Sequence, residues 1–210
     1  MSAKRAPRIL AAIIGIFALS AQAAQADEGW KECSHKDGVI VEKRPVPGSR
    51  FVENRARGHI AMAPADVLER IWAGVPHEYP PTVTKRTLLS QSPNEMLIYD
   101  QIHTPVVSDR DLTTRLHKIA DPQKGLFEIR FEGASEAGPP PNPHYVRLTT
   151  LRGLWHIESD GGSGSNVSYQ VYSEPGGSVP AFLVRGTLQD ETMKELERVV
   201  GVLNRAKVTH

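Results

Sequence analysis

Between Pro80-Pro81 and Ser173 the chain offers one short extended segment after another and no stretch with helical spacing. The clearest is Leu126 to Glu132, where Phe127, Ile129 and Phe131 alternate with Glu128, Arg130 and Glu132. A period of two with charge on one side is the mark of a half-buried antiparallel strand. Val83–Ser90 and Met96–His103 flank the turn Ser92-Pro93-Asn94. Leu112–Ala120 ends at Asp121-Pro122-Gln123-Lys124-Gly125. Tyr145–Ser159 and Asn166–Ser173 flank Gly161-Gly162-Ser163-Gly164, and Gly138 to Pro143 is a stiff, proline-rich loop.

Upstream, Asp27 to Asp37 reads as an opening helix or coil. Val39-Ile40-Val41 reads as a strand before Pro45, Pro47 and Gly48, and Phe51 to Met62 as a second strand. Pro64 suits a first helical turn, and Val67, Leu68, Ile71 and Trp72 form an apolar stripe that stops at Gly74. A long amphipathic helix over 179–205 closes the chain, with Phe182, Gly186, Met193, Leu196, Val200 and Leu203 near one face. The order predicts an α+β fold built on an antiparallel sheet.

Residues 1–26 are predicted to be a signal peptide. Lys4, Arg5 and Arg8 precede the short apolar run Ile9–Leu19, and Ala24-Gln25-Ala26 is an A-x-A cleavage pattern. The remainder, 27–210, is predicted to be one domain, exported to the periplasm or secreted. It carries 22 Lys+Arg against 24 Asp+Glu, a formal charge of −2. That balance argues against nucleic acid and against strong docking on anionic membranes. The single Cys33 leaves an exported chain without an internal disulfide, so stability must come from core burial.

Three stretches carry a family resemblance. They are Pro105-Val106-Val107-Ser108-Asp109-Arg110-Asp111, Gly153-Leu154-Trp155-His156-Ile157, and Val171 to Val184, which includes Glu174-Pro175-Gly176-Gly177-Ser178-Val179-Pro180. In that order and spacing, over roughly Gly38 to Leu203, they resemble the START family of lipid-transfer domains, within the helix-grip superfamily. The resemblance implies a curved antiparallel sheet wrapped around a long C-terminal helix, enclosing a cavity for one lipid or sterol-like molecule. Arg110, Asp111, Pro175, Gly176, Gly177 and Pro180 are read as structural. Arg110 and Asp111 would form an ion pair or cap backbone groups, the glycines would supply a tight turn, and Pro180 would start the helix.

The predicted cavity lining is Leu97, Tyr99, Gln101 and His103 on one strand and Leu112, Thr114 and Leu116 on the next. Phe127, Ile129, Phe131, Trp155, Ile157, Val171, Phe182 and Met193 complete it. In the family the position of Trp155 faces the cavity. Some steroid-binding members carry a buried acid–Arg pair. Here its Arg position falls on Leu116 and its acid position near Leu97, which favours a more apolar cavity. The last helix or the 138–143 loop is the expected gate.

No catalytic residue, metal site or cofactor is predicted. The histidines are scattered, and no His-x-x-x-His, Cys-x-x-Cys or Gly-x-Ser-x-Gly occurs. An aromatase/cyclase-like enzyme is the alternative, if Tyr99, Gln101 and His103 face inward as an acid–base set. A protein-partner module with a filled core is the second alternative. Expected partners are a hydrophobic small molecule and a transient membrane contact, with the chain a monomer.

Overall fold

The computed structural model describes residues 29–104, 107–177 and 192–198. The predicted signal peptide, Pro105, Val106, Pro180, Phe182 and most of the predicted last helix lie outside the described residues.

Residues from Lys31 onward build one ten-stranded sheet. The strands are β1 (Lys31–Lys36), β2 (Val39–Pro45), β3 (Val52–Ile60), β4 (Val83–Gln91) and β5 (Glu95–Ile102). They continue as β6 (Arg110–Asp121), β7 (Leu126–Gly133), β8 (Val146–Arg147), β9 (Leu151–Ser159) and β10 (Ser165–Ser173). Their spatial order is β1-β2-β3-β10-β9-β7-β6-β5-β4, and β8 pairs with the start of β6 in parallel. The last strand therefore lies between β3 and β9, joining the opening strands to the central meander.

The opening segment is a strand, not the helix or coil expected. Asp37 and Gly38, both at positive φ (51° and 78°), make a two-residue turn that folds β1 onto β2. Asp-Gly is the residue pair such a turn demands, and this signal outweighs the polar character of the flanks. The predicted strand over 145–159 is also divided. β8 leaves the main path because Arg147 is drawn to Asp111 on β6, with Nη2–Oδ2 at 2.5 Å.

One helix, α1 (Pro64–Gly74), crosses the inner face of the sheet. Pro64 opens it, Asp66 sits in its positive first turn, and Val67, Leu68, Ile71 and Trp72 are its buried residues. These four pack into a single core with Val41, Ala56, Met96, Ile129, Ile157 and Val167. Lys118, on the inner face of β6, ties the helix down: Nζ is 2.8 Å from Glu69 Oε1 and 5.5 Å from the centre of the Trp72 ring. A second helical segment, α2 (192–198), adds the fully buried Leu196 to the same core.

The outer face carries a charge cluster across β7 and β9. His156 lies opposite Glu128, with Nδ1 3.0 Å from Glu128 Oε1 and Nε2 2.9 Å from Glu158 Oε1. Hydrogen bonding to Glu128 outweighs partial burial and raises the His156 pKa to about 8. A histidine whose pKa rises on folding contributes stability fully present below about 6.5 and lost as pH climbs past about 8. His156→Gln is expected to remove on the order of 1 kcal/mol at about pH 6 and almost nothing at about pH 9, read from urea unfolding.

Candidate functional site

Strand pairing fixes which side chains face inward. Ile98 lies opposite Thr114 and Asp100 opposite Leu112 across β5 and β6, so these four share a face. Leu116, Phe131 and Gly153 form one row across β6, β7 and β9, and Ile129, Trp155 and Tyr169 form the next across β7, β9 and β10. Between this face, α1 and α2 lies a cavity of about 330 Å³. Its floor is apolar: Ile98, Leu112, Leu116, Phe131, Trp155 and Val171 line it, with Leu151 at its side and Ile71 of α1 above.

Gly153 explains the Gly-x-Trp motif. A Cβ there would sit 2.0 Å from Phe131 Cζ and 2.4 Å from the Gln170 carbonyl oxygen, so the Phe131 ring lies directly over the glycine. The ring then stacks on Tyr169 at 5.8 Å, and Tyr169 meets Trp155 at 4.5 Å. Three aromatic rings thus form a rigid patch of cavity wall.

The cavity also has a polar end, which corrects the expectation of a more apolar interior. Arg86 on β4 binds Asp100 on β5 with two parallel bonds, Nε–Oδ1 at 2.8 Å and Nη2–Oδ2 at 2.7 Å. Its Nη1 donates to the Val75 carbonyl at 2.6 Å. Both side chains are nearly buried, 11% and 6% exposed. An acid–Arg pair is therefore present on neighbouring strands, away from the Leu97 and Leu116 positions. Arg198 of α2 reaches Glu78 beyond α1 at 2.9 Å and Glu195 at 2.9 Å. Burial opposes the Arg198 charge, but these carboxylates more than compensate and raise its pKa.

Of the residues predicted to line the cavity, Leu112, Thr114, Leu116, Phe131, Trp155 and Val171 do so. Phe127, Ile129 and Ile157 share the inner face but are buried in the core, off the cavity wall. Met193 packs half-buried on that core. Phe182 lies outside the described residues.

Leu97, Tyr99, Gln101 and His103 are a correction, because they occupy the outer face. Tyr99 is buried there because its hydroxyl donates to Asp111 Oδ2 at 3.0 Å and residues 135–147 cover the patch. Gly138 presses so close to Thr113 that a Cβ would meet Thr113 Oγ1 at 1.9 Å. His103 is exposed and bonded to Asp109 at 2.9 Å. The proposed acid–base set shares a face as expected, but that face is turned away from the cavity.

Arg110 and Asp111 do not pair with each other. Arg110 donates to the Ser108 and Pro175 carbonyls, tying the start of β6 to the turn after β10. Burial alone would raise the Asp111 pKa. Hydrogen bonds from Arg147 and Tyr99 outweigh it and hold the carboxyl below its usual range. Gly176 and Gly177 are both left-handed (φ 64° and 60°) in that turn, as their sequence suggests.

Sequence reasoning missed Tyr169, Arg86 and Asp100. The signal for the last two is a pair of opposite charges facing each other across the β4–β5 hairpin. A register shift between Leu88 and Ser90 hides it from simple counting.

A single curved antiparallel sheet holding a cavity under two helices defines a ligand-enclosing container. The START domain family matches residues 17–209, and the chain belongs to that family, which binds hydrophobic ligands. An uncharacterized protein of Pseudomonas aeruginosa is 27% identical over 173 residues, covering 81% of this chain and 84% of the relative. Among solved structures, a STAR-related lipid transfer protein from Xanthomonas axonopodis superposes with a TM-score of 0.74 at 26% identity, covering 84% of this chain and 99% of that one. Human StAR-related lipid transfer protein 5 gives 0.69 at 15% identity, covering 91% and 95%. A Streptomyces aromatase/cyclase gives 0.50 at 15% identity, covering 73% and 93%, a likeness of fold alone.

Proposed function

We propose that this chain carries one hydrophobic molecule in its cavity, without transforming it, as a lipid-transfer or lipid-sensing protein outside the cytoplasm. The observation that carries this reading is the continuous apolar floor from Ile98 to Val171 beneath about 330 Å³ of open space. Withdrawing roughly 350 Å² of ligand surface from water at ~25 cal/mol/Å² contributes ~9 kcal/mol before ordering costs. That suffices for sub-millimolar to micromolar holding without an ion pair to the ligand.

Two features support a carrier over a catalyst. Tyr99 and His103 face away from the cavity, and the wall residues Asp100 and Glu195 are each held by an arginine. Leu88 and Leu89, 41% and 38% exposed on the edge strand β4, support transient contact with a membrane during exchange. The leader-like N-terminus supports export.

Delipidated protein incubated with a bacterial membrane lipid extract is expected to gain the mass of one lipid in native mass spectrometry. Protein that emerges at its unliganded mass refutes the carrier reading.

A further inference from the structure

Six charged side chains line the cavity among the described residues: Arg70, Glu78, Arg86, Asp100, Glu195 and Arg198. The three cations balance the three carboxylates. Five of the six are also tied to one another. Arg86 spends two bonds on Asp100 and a third on the Val75 carbonyl. Arg198 is shared between Glu78 and Glu195. Arg70 stands exposed on α1. An incoming carboxylate or phosphate therefore meets no unpaired buried cation. It would have to stop at the exposed Arg70, or go deeper, break an existing ion pair and leave a carboxylate stranded.

Tyr169 differs from these groups. Its ring is fixed between Phe131 and Trp155. It lines the cavity, and its hydroxyl makes no hydrogen bond to the described residues. Burial is the main cause that raises its pKa well above that of a free phenol, and Glu195 adds to it. Arg86 and Arg198 act on it in the opposite sense. The hydroxyl thus stays protonated, lies near the polar end, and can both donate and accept one bond. The space is also small: about 330 Å³ lies at the lower end of the range for ligand pockets, which suits a single short chain.

We infer that the cavity selects an uncharged, single-chain amphiphile bearing a hydroxyl or carbonyl group, that the Tyr169 phenol is the contact for that group, and that carboxylate ligands are rejected. This rests on the carrier reading above and specifies its ligand.

Three probes of matched length separate the possibilities: 1-decanol, decanoate at about pH 7.4, and 1-chlorodecane, each competed against Nile red. Wild-type protein is expected to bind 1-decanol at least about tenfold more tightly than decanoate, and about fivefold more tightly than 1-chlorodecane. Tyr169→Phe keeps the ring stack and removes only the hydroxyl. It is expected to lower 1-decanol affinity about fivefold and leave 1-chlorodecane unchanged. Decanoate binding as tightly as 1-decanol overturns the selection for neutral ligands, and an unchanged 1-decanol affinity in Tyr169→Phe overturns the contact. If all three probes bind alike, this inference falls while the carrier reading stands. If none binds, the carrier reading falls and takes the inference with it.

Discussion

Replacing Asp100 with leucine should lower the unfolding free energy by about 3–5 kcal/mol, because it strands a nearly buried guanidinium. The carboxylate supplies both of the short bonds that hold Arg86 Nε and Nη2. Without it the hydrogen-bond acceptor left to the Arg86 head among the described residues is the Val75 carbonyl. Arg86→Leu should be similarly costly, since it strands the Asp100 carboxyl without its partner beside Ile98 and Leu112. The double replacement Arg86→Leu/Asp100→Leu is the informative partner. Exchanging a buried ion pair for apolar groups is often close to neutral, so most of the loss should return. Urea unfolding of the four proteins measures this directly. Single variants as stable as wild type would show the pair to be solvated and dispensable.

Gly153→Ala should cost about 3 kcal/mol or more, although it adds one methyl group. Most glycine-to-alanine changes in strands are tolerated or favourable, because alanine restricts the unfolded chain. Here the new Cβ would meet the Gln170 carbonyl oxygen at 2.4 Å and Phe131 Cζ at 2.0 Å. The ring could swing aside only by leaving its stack on Tyr169, and the carbonyl belongs to the neighbouring strand and cannot retreat. Gly162→Ala, in the exposed β9–β10 turn, is the control and should shift stability by less than about 0.5 kcal/mol. A melting temperature for Gly153→Ala equal to that of the control would refute the close packing of Phe131 over this position.

The elements whose side chains alternate without ambiguity were legible in the sequence. Phe127, Ile129 and Phe131 could face only one way, since Glu128, Arg130 and Glu132 lie between them. The stripe Val67, Leu68, Ile71 and Trp72 matches the buried face of α1 residue for residue. β5 was not legible for the opposite reason. Met96, Leu97, Ile98 and Tyr99 are four apolar residues in succession, so no alternation says which face is inner. All four are buried, because the sheet is covered on both sides there. A one-residue error in phase sends every side chain to the wrong face. That error exchanged Ile98, Asp100 and Ile102 for Leu97, Tyr99 and Gln101. Tyr169 was missed although Val167, Tyr169 and Val171 alternate onto one face, because its polar neighbours Ser168 and Gln170 and its own hydroxyl weaken the apolar signal there. The rings of Phe131 and Trp155, distant in sequence, then hold it against the cavity wall.

The position of β10 has a kinetic consequence. It pairs residue by residue with β3, more than a hundred positions earlier in the chain, and with β9 on its other side. Until residue 173 has been made, the first three strands have no neighbour to join, and the meander from β4 to β9 has one raw flank. Such remote pairing makes assembly slow, on the order of milliseconds to seconds, and postpones cooperativity until β10 has been made. A nascent chain of this kind stays loose until β10 has emerged, then sets in one step when that strand slots into the gap kept for it.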